Sequence, residues 1–501
     1  MTGTPVAVSL EPELLAGAVA ERVAGGQRFV GLFASAHDDG STVIRALLAR
    51  RGSLDVVEAH LGPGADEYPA LTPLVPPAAW YEREIHDLFG IEPVGHPRLD
   101  PLVLPLDPNE QWRPRPGAFR PNDTFRPELD LSALPGHVAG EGLFTIPYGP
   151  VRSGIFEAVE YLVETFGEDI PHLRTRVYYK HRGIERRFGD LGFDDGVLLA
   201  ERVEGTASVA HAMAFCHALE TLAGIEAPRR AALVRVVHAE LERVASHLDS
   251  VIRHCEGAGQ AVAYARMTLH KERVQRLRAR LCGHRFGRGV VVPGGVAGPP
   301  LITPDEALRA LGALEHDIAG DASSLMDTPS FLDRLRGTGV ISSEVAAVHG
   351  ALGPVGRGSG RTEDVRVERP YGAYGFLGFE PAEASDGGDA LARQRVRLHE
   401  ITAAFHLARE ALDELGEERD DAPWRRQVPA TDGVGFGWVE APQGELVYLV
   451  EVEAGRLMRV KPRSASFHNL ALFPRCFGGD ILTDFAFIEA SFGLSIAGVS
   501  G

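Results

Sequence analysis

The feature that most constrains this chain is a proline-dense stretch about a fifth of the way along it. It runs from Pro93 through Pro97, Pro101, Pro105, Pro108, Pro114, Pro116, Pro121 and Pro127 to about Pro135. Proline lacks a backbone donor and cannot sit inside a continuous helix or a central strand. The stretch therefore reads as an extended connector or an arm on another surface, and it cuts the chain in two. We divide the sequence into a small unit over 1–95, the connector over 96–140 and a large unit over 141–501. At 501 residues, two or three domains are expected on size alone.

Periodicity assigns elements on either side. Glu11 to Val23 has helical spacing, and Arg28–Ala34 and Leu54–Leu61 suit strands. In the large unit, strand-like segments come first, near Leu143–Ile146 and Thr175–Tyr179. Between Ala231 and Cys255 the apolar residues Leu233, Val237, Leu241, Val244, Leu248 and Ile252 mark one helix face. Thr303-Pro304-Asp305-Glu306 is a capping box with proline at the first helical position, so a helix should start there. Another helix should run from about Asp389 to Leu415, with Leu398, Ile401, Phe405 and Leu412 inward. Gly353 to Asp389 should be mostly loop. Gly437–Glu440 and Leu446–Val452 form an expected hairpin around Gln443-Gly444. The fold class is α+β, with a small N-terminal α/β unit and a mainly helical large unit flanked by β-hairpins.

Composition excludes several functions. A net charge of −18 disfavours nucleic acid and anionic lipid, because phosphates are repelled. No run of eighteen apolar residues is present, so no membrane span of its own is expected. Met1 to Leu15 lacks the basic and apolar regions of a secretory signal. The four cysteines, Cys216, Cys255, Cys282 and Cys476, form no Cys-x-x-Cys pair. They read as reduced, buried small residues rather than metal ligands. No Gly-x-Gly-x-x-Gly opens a helix after a strand and no Walker A sequence is present, so NADH or flavin chemistry is assigned to other subunits.

The string Glu82-Arg83-Glu84-Ile85-His86-Asp87-Leu88-Phe89-Gly90-Ile91, followed by Gly95-His96-Pro97, suits a short amphipathic helix. It resembles the 30-kDa-type subunit of respiratory complex I over roughly residues 25 to 105, where the unit is an interaction domain. Five later segments occur in order. They are His181-Arg182-Gly183-Ile184-Glu185 with Glu201 to His211, Gly287-Arg288-Gly289 with Pro293 to Val296, Arg357 to Gly360, Asp364 to Tyr371, and Glu440 to Leu446. Together they resemble the family shared by the 49-kDa-type complex I subunit and the large subunit of nickel–iron hydrogenases. The fused order resembles complex I fusions of some bacteria and the large subunit of formate hydrogenlyase-type hydrogenases.

The resemblance also says which chemistry to look for. Hydrogenase large subunits hold nickel and iron with two Cys-x-x-Cys pairs, and soft thiolates are needed for that role. By alignment the first pair falls at Glu204 and Ala207 and the second near Ser491 and Leu494, none of them cysteine. No bound metal is expected. The family's active-site arginine is replaced by Gln443. Complex I holds a quinone with a hairpin histidine and a helix tyrosine. Their places fall at Gly149-Pro150-Val151-Arg152-Ser153-Gly154 and near Gly205. Arg152 is the candidate quinone contact: it can donate to a carbonyl oxygen but cannot release a proton at neutral pH. His181, Glu185, Glu204 and His211 are the candidates for a proton or quinone cavity.

Each candidate has two open readings. His181 and Glu185 are four apart and either pair on one helical face or line a polar cavity. Glu204 is a proton carrier or a partner for a nearby arginine. His211 is a cavity residue or a satisfied core histidine. Glu201 with Arg202, and Asp364 with Arg366, read as structural ion pairs. The resemblance implies no cofactor bound directly, apart from a possible quinone. It implies an iron–sulfur cluster in a small-subunit partner and antiporter-like membrane subunits. The expected location is the cytoplasmic face of the plasma membrane, reached through partners. The implied activity is electron transfer to a quinone coupled to ion movement. A non-catalytic scaffold is the first alternative, and a hydrogenase, disfavoured for want of ligands, is the second.

Overall fold

The computed structural model describes residues 7–104, 140–152, 156–381, 387–418 and 423–501. Most of the connector, 105–139, lies outside the described residues.

The N-terminal unit is a four-stranded sheet with two helices. Its strands are Ala7–Leu10, Arg28–Ala36, Thr42–Arg50 and Ser53–Leu61. The spatial order is first, fourth, third, second; the first pairs parallel to the fourth and the others are antiparallel. Strand 28–36 is apolar nearly throughout because both its faces are covered, so alternation is absent. The helix Pro12–Ala24 begins with proline at its first turn. The helix Ala79–Phe89 ends on Gly90 in the left-handed region.

That second helix carries the acidic string, and the string is not a solvated face. Glu82 is buried and accepts from the Leu71 and Thr72 amides at 2.6 and 3.0 Å. Asp87 accepts from the Leu102 and Val103 amides at 2.7 and 2.9 Å. These carboxylates bind backbone that would otherwise be buried without partners.

The large unit opens with a three-stranded antiparallel sheet, Phe144–Tyr148, Glu160–Thr165 and His172–Arg176. Four long helices follow: Arg229–Gly257, Ala261–Cys282, Pro304–Met326 and Ala390–Glu417. Helices 229–257 and 304–326 each pack on both of the other two, which closes a four-helix bundle. The capping box forms as expected: Thr303 Oγ1 accepts from the Glu306 amide and Glu306 returns the bond to the Thr303 amide. Helix 390–417 starts one residue after Asp389, whose carboxylate caps the Ala392 amide at 2.7 Å. The 353–389 region holds short helices at Gly353–Arg357 and Val365–Glu368 rather than loop alone.

The expected C-terminal hairpin is the first part of a three-stranded sheet, Gly433–Ala441, Gly444–Glu453 and Arg456–Arg463. Helix Ser208–Ala223 lies directly on it. At Gly437 a Cβ would stand 2.0 Å from the Ala214 carbonyl oxygen, so only glycine permits that approach. The sheet and the helix Ala465–Leu470 that follows it also tie the two units together. Arg28 meets Glu445 at 2.9 Å, Arg45 meets Glu451 at 2.6 Å, and Tyr81 Oη lies 3.0 Å from His468 Nδ1. No helix of the described residues is long and apolar enough to cross a membrane.

Candidate functional site

Three of the residues singled out in sequence, Arg152, His181 and Glu204, and one that was not, Glu157, meet one segment, 489–501. Glu489 holds Arg152, Ala497 and Ser495 hold Glu157, Gly498 touches Glu204, and the Ser500 carbonyl meets His181. Arg182 seals the place by donating to the Val203 and Ala497 carbonyls at 2.5 and 3.2 Å.

Glu204 sits in the turn between helices Phe193–Ala200 and Ser208–Ala223 and is buried. Thr206 Oγ1 donates to its Oε1 at 2.9 Å, and His211 Nε2 lies 3.3 Å from its Oε2. On the other side of the ring, His211 Nδ1 lies 2.6 Å from Tyr448 Oη. Burial first, and then the Glu204 carboxylate, push the Tyr448 phenol well above its ordinary range. The phenol therefore keeps its proton and donates to Nδ1, and Nε2–H points at Glu204. Gln443, at the tip of the 433–453 hairpin, extends the line: its Nε2 lies 3.2 Å from Thr206 Oγ1 and 3.4 Å from Ser246 Oγ. Carboxylate, imidazole, hydroxyl and phenol are thus in one hydrogen-bonded line. Among the described residues no arginine forms an ion pair with Glu204. His211 is a core histidine with both ring nitrogens engaged.

Ser491, at the place the resemblance assigns to the second cysteine pair, is bonded elsewhere. Ser491 accepts from Arg393 Nε at 2.9 Å and donates to the Ile488 carbonyl at 2.7 Å. What meets Glu204 is Gly498, where a Cβ would stand 2.3 Å from Glu204 Oε2, with Ser464 Oγ alongside. The C-terminal residue facing Glu204 therefore lies further along the chain than Ser491 and Leu494.

His181 and Glu185 do not pair on a helix face. His181 precedes the short helix Ile184–Arg187 and its Nδ1 lies 2.5 Å from the Ser500 carbonyl oxygen. That acceptor fixes Nδ1 as the protonated nitrogen, and burial lowers the ring's pKa. Glu185 instead meets Lys461 at 2.6 Å and Arg459 at 2.5 Å. Burial would raise its pKa, but the two cations hold it down at about 2.

Arg152 is not free to contact a carbonyl through its fork. Nη1 and Nη2 donate to the two oxygens of Glu489 at 2.8 and 2.9 Å, and Tyr161 Oη donates to the same carboxylate at 3.0 Å. Its guanidinium also lies over the rings of Tyr148, Phe156 and Tyr161. The bidentate pair orients the strand 144–148 end against helix Phe485–Phe492. Glu201 and Arg202 lie 3.6 Å apart, but only Glu201 is buried; Arg202 is half exposed.

Sequence reasoning missed a second buried polar centre. Four carboxyls, Glu240, Asp364, Glu400 and Glu440, meet three guanidiniums, Arg243, Arg357 and Arg366. Asp364 and Arg366 do pair, at 2.7 Å, as members of this larger cluster. His247 Nε2 lies 2.7 Å from Glu400, and Tyr374 donates to Glu240 at 2.5 Å. The local signals are two pairs, Asp364–Arg366 and the i,i+3 pair Glu240–Arg243, the latter on a helix whose stripe marks one apolar face. In fact helix 229–257 buries its polar side as well.

All four cysteines are free. Cys216, Cys255 and Cys476 are buried, and burial raises all four thiols, Cys255 to about 12.

This α+β chain, with its helical bundle and a polar seat closed by residues 489–501, is similar in sequence to core subunits of complex I and of membrane-bound hydrogenases. Residues 258–433 and 422–500 match the respiratory-chain NADH dehydrogenase 49-kDa subunit, and residues 27–117 match the 30-kDa subunit. The chain is 28% identical over 448 residues to formate hydrogenlyase subunit 5 of Escherichia coli, covering 87% of this chain and 77% of that one. It is 30% identical to the membrane-bound hydrogenase subunit alpha of Pyrococcus furiosus, over 69% and 84% of the two chains. It is also 30% identical to an NADH-quinone oxidoreductase subunit of Anaeromyxobacter sp. (strain K), over 69% and 92%. The chain belongs to the complex I 49-kDa subunit family, in a form fused to a 30-kDa-type unit.

Proposed function

We propose that this chain is the core hydrophilic subunit of a membrane-associated complex I-like or formate hydrogenlyase-like oxidoreductase. Electrons arrive from an iron–sulfur cluster in a small-subunit partner and pass to an acceptor, a quinone on this reading, with ion movement through antiporter-like membrane subunits. The chain sits on the cytoplasmic face through those partners, and its units divide at about residues 95 and 140.

The observation that carries this reading is the buried line Glu204–His211–Tyr448 at the seat closed by 489–501. Quinone reduction consumes protons as well as electrons. A carboxylate, an imidazole and a phenol in contact are groups that can pass a proton. The same residues do not fit a nickel–iron centre. The groups bonded to Glu204 are Thr206 and His211, hard or borderline donors, and no cysteine is bonded to it. We derive no step through such a centre and read this form as having lost its cysteine ligands.

A scaffold is the second reading. It is favoured by Arg152 and Glu185, whose charges are spent on Glu489 and on Lys461 with Arg459. The test is quinone reduction by the purified assembly carrying Glu204→Gln. Turnover should fall by about a hundredfold or more, the scale of a lost proton-transfer group. Unchanged turnover leaves the scaffold. Stoichiometric nickel in the assembly would return the hydrogenase reading.

A further inference from the structure

Glu84, from the N-terminal unit, is buried where that unit meets the large one. Its Oε1 lies 2.7 Å from Lys461 Nζ, and Lys461 Nζ lies 2.6 Å from Glu185 Oε1. One ammonium thus serves two carboxyls. Arg459 adds a second cation, but its ion pair is with Glu185. Strand Arg456–Arg463 therefore presents Arg459 and Lys461, and helix Ile184–Arg187 presents Glu185. His181 stands beside them within the field of Glu185 and Lys461, and Tyr81 shares the helix of Glu84. Arg459 Nε also donates to the Ala34 carbonyl at 3.4 Å, and the rings of Phe467 and Phe89 lie against Lys461 and Arg459.

Two carboxyls sharing one cation in a dry site do not ionise equally. The one with the extra guanidinium keeps its charge, and Glu185 is held at about 2. Burial raises the other, opposed by Lys461 and reinforced by the Glu185 charge, and Glu84 stands at about 7. Arg459 cannot release a proton, and the Lys461 pKa is raised above its ordinary value.

We propose that Glu84 is a proton-exchange site, taking up and releasing a proton against the fixed Lys461–Glu185–Arg459 group. The 30-kDa-type unit then contributes an ionisable group one layer from the C-terminal segment, since a Cβ at Gly501 would stand 3.9 Å from Glu185 Oε1. This goes beyond an interaction role for that unit, and it does not depend on which acceptor the assembly reduces.

The test is an infrared titration of the full chain, following the protonated-carboxyl band from pH 5 to 9. Glu440 is also pushed up to about 7, so assignment needs the difference between the wild type and Glu84→Gln. That difference should contain one band that vanishes near pH 7. Glu185→Gln removes the like charge and should lower the midpoint by about 1 pH unit or more; Lys461→Met should raise it. If Glu84→Gln does not fold, the two opposite shifts still decide the matter. No band in the difference, or a midpoint unmoved by both neighbours' variants, overturns the proposal.

Discussion

The Glu204 line and the arginine-rich cluster are both buried, yet they are built from different kinds of neighbour. Glu204 faces His211, Thr206 and, through His211, Tyr448. Each of these can accept or donate a hydrogen bond. Glu240, Asp364 and Glu400 face Arg243, Arg357 and Arg366, whose protons are permanent. Despite burial, these cations hold Glu240, Asp364 and Glu400 below the usual carboxylate range. Burial alone therefore does not make a carboxyl a proton carrier; the chemistry of its partner decides. The first arrangement can relay and the second locks charge in place.

The largest effect should come from breaking the locked cluster. Arg357 touches Glu400 at 2.7 Å, Glu440 at 3.1 Å and Asp364 at 3.5 Å, all buried. Arg357→Met leaves carboxylates without a counter-charge and should destabilise the chain by about 3–5 kcal/mol. Urea denaturation measures it. Glu204→Gln, which keeps shape and leaves no bare charge, should cost well under half as much. Equal losses at the two sites would erase the distinction between relay and lock.

The cluster has one exception, and pH exposes it. Burial, then the Asp364 charge, push Glu440 up to about 7 against the pull of Arg357. A carboxyl raised above its unfolded value holds a proton that the unfolded chain releases. Its stabilising contribution is full below about pH 4.5 and is lost as pH rises through about 7. Across that window stability should fall by about 1–3 kcal/mol on account of this group. Glu84 adds in the same direction. Glu440→Gln should flatten its share of the slope, read as denaturation midpoints against pH. A slope that survives unchanged would place Glu440 among the locked acids.

How much of this is legible without the fold follows from range along the chain. Elements carried by local signals come through. The Thr303 capping box, the apolar stripe of 229–257 and the 433–453 hairpin all depend on residues a few positions apart. The motif at His181–Glu185 is visible as unusual, but its partners Lys461 and Ser500 lie at the far end of the chain. Nothing local distinguishes a glutamate that will meet lysine across a sheet from one that will pair four residues away. The same blindness hides the buried side of helix 229–257, whose Arg243 and Glu240 find partners at 366, 374 and 400. Arg152 departs from expectation for a simpler reason. Its type suggests a free donor, and only the fold reveals Glu489 in its fork. The unforeseen strands Thr42–Arg50 and Arg456–Arg463 carry arginines among their apolar residues, which breaks the pattern.

The smallest change in stability should give the sharpest separation of relay from scaffold. Gly498 is the second residue of the short helix Ala497–Ser500, where alanine is well tolerated by the backbone. A methyl there would stand 2.3 Å from Glu204 Oε2, the far end of a side chain that can rotate aside. Gly498→Ala should therefore reduce stability by no more than about 1–2 kcal/mol. Its effect on the relay is different in kind. Displacing Oε2 breaks the contact with His211 while Glu204, His211 and Tyr448 all remain in the chain. If proton passage needs that contact, turnover of the assembly should fall about as far as in Glu204→Gln, with the denaturation midpoint nearly unmoved. A variant with normal turnover would mean the contact only fills space, because removing the geometry without removing any group would have changed nothing that the reaction uses.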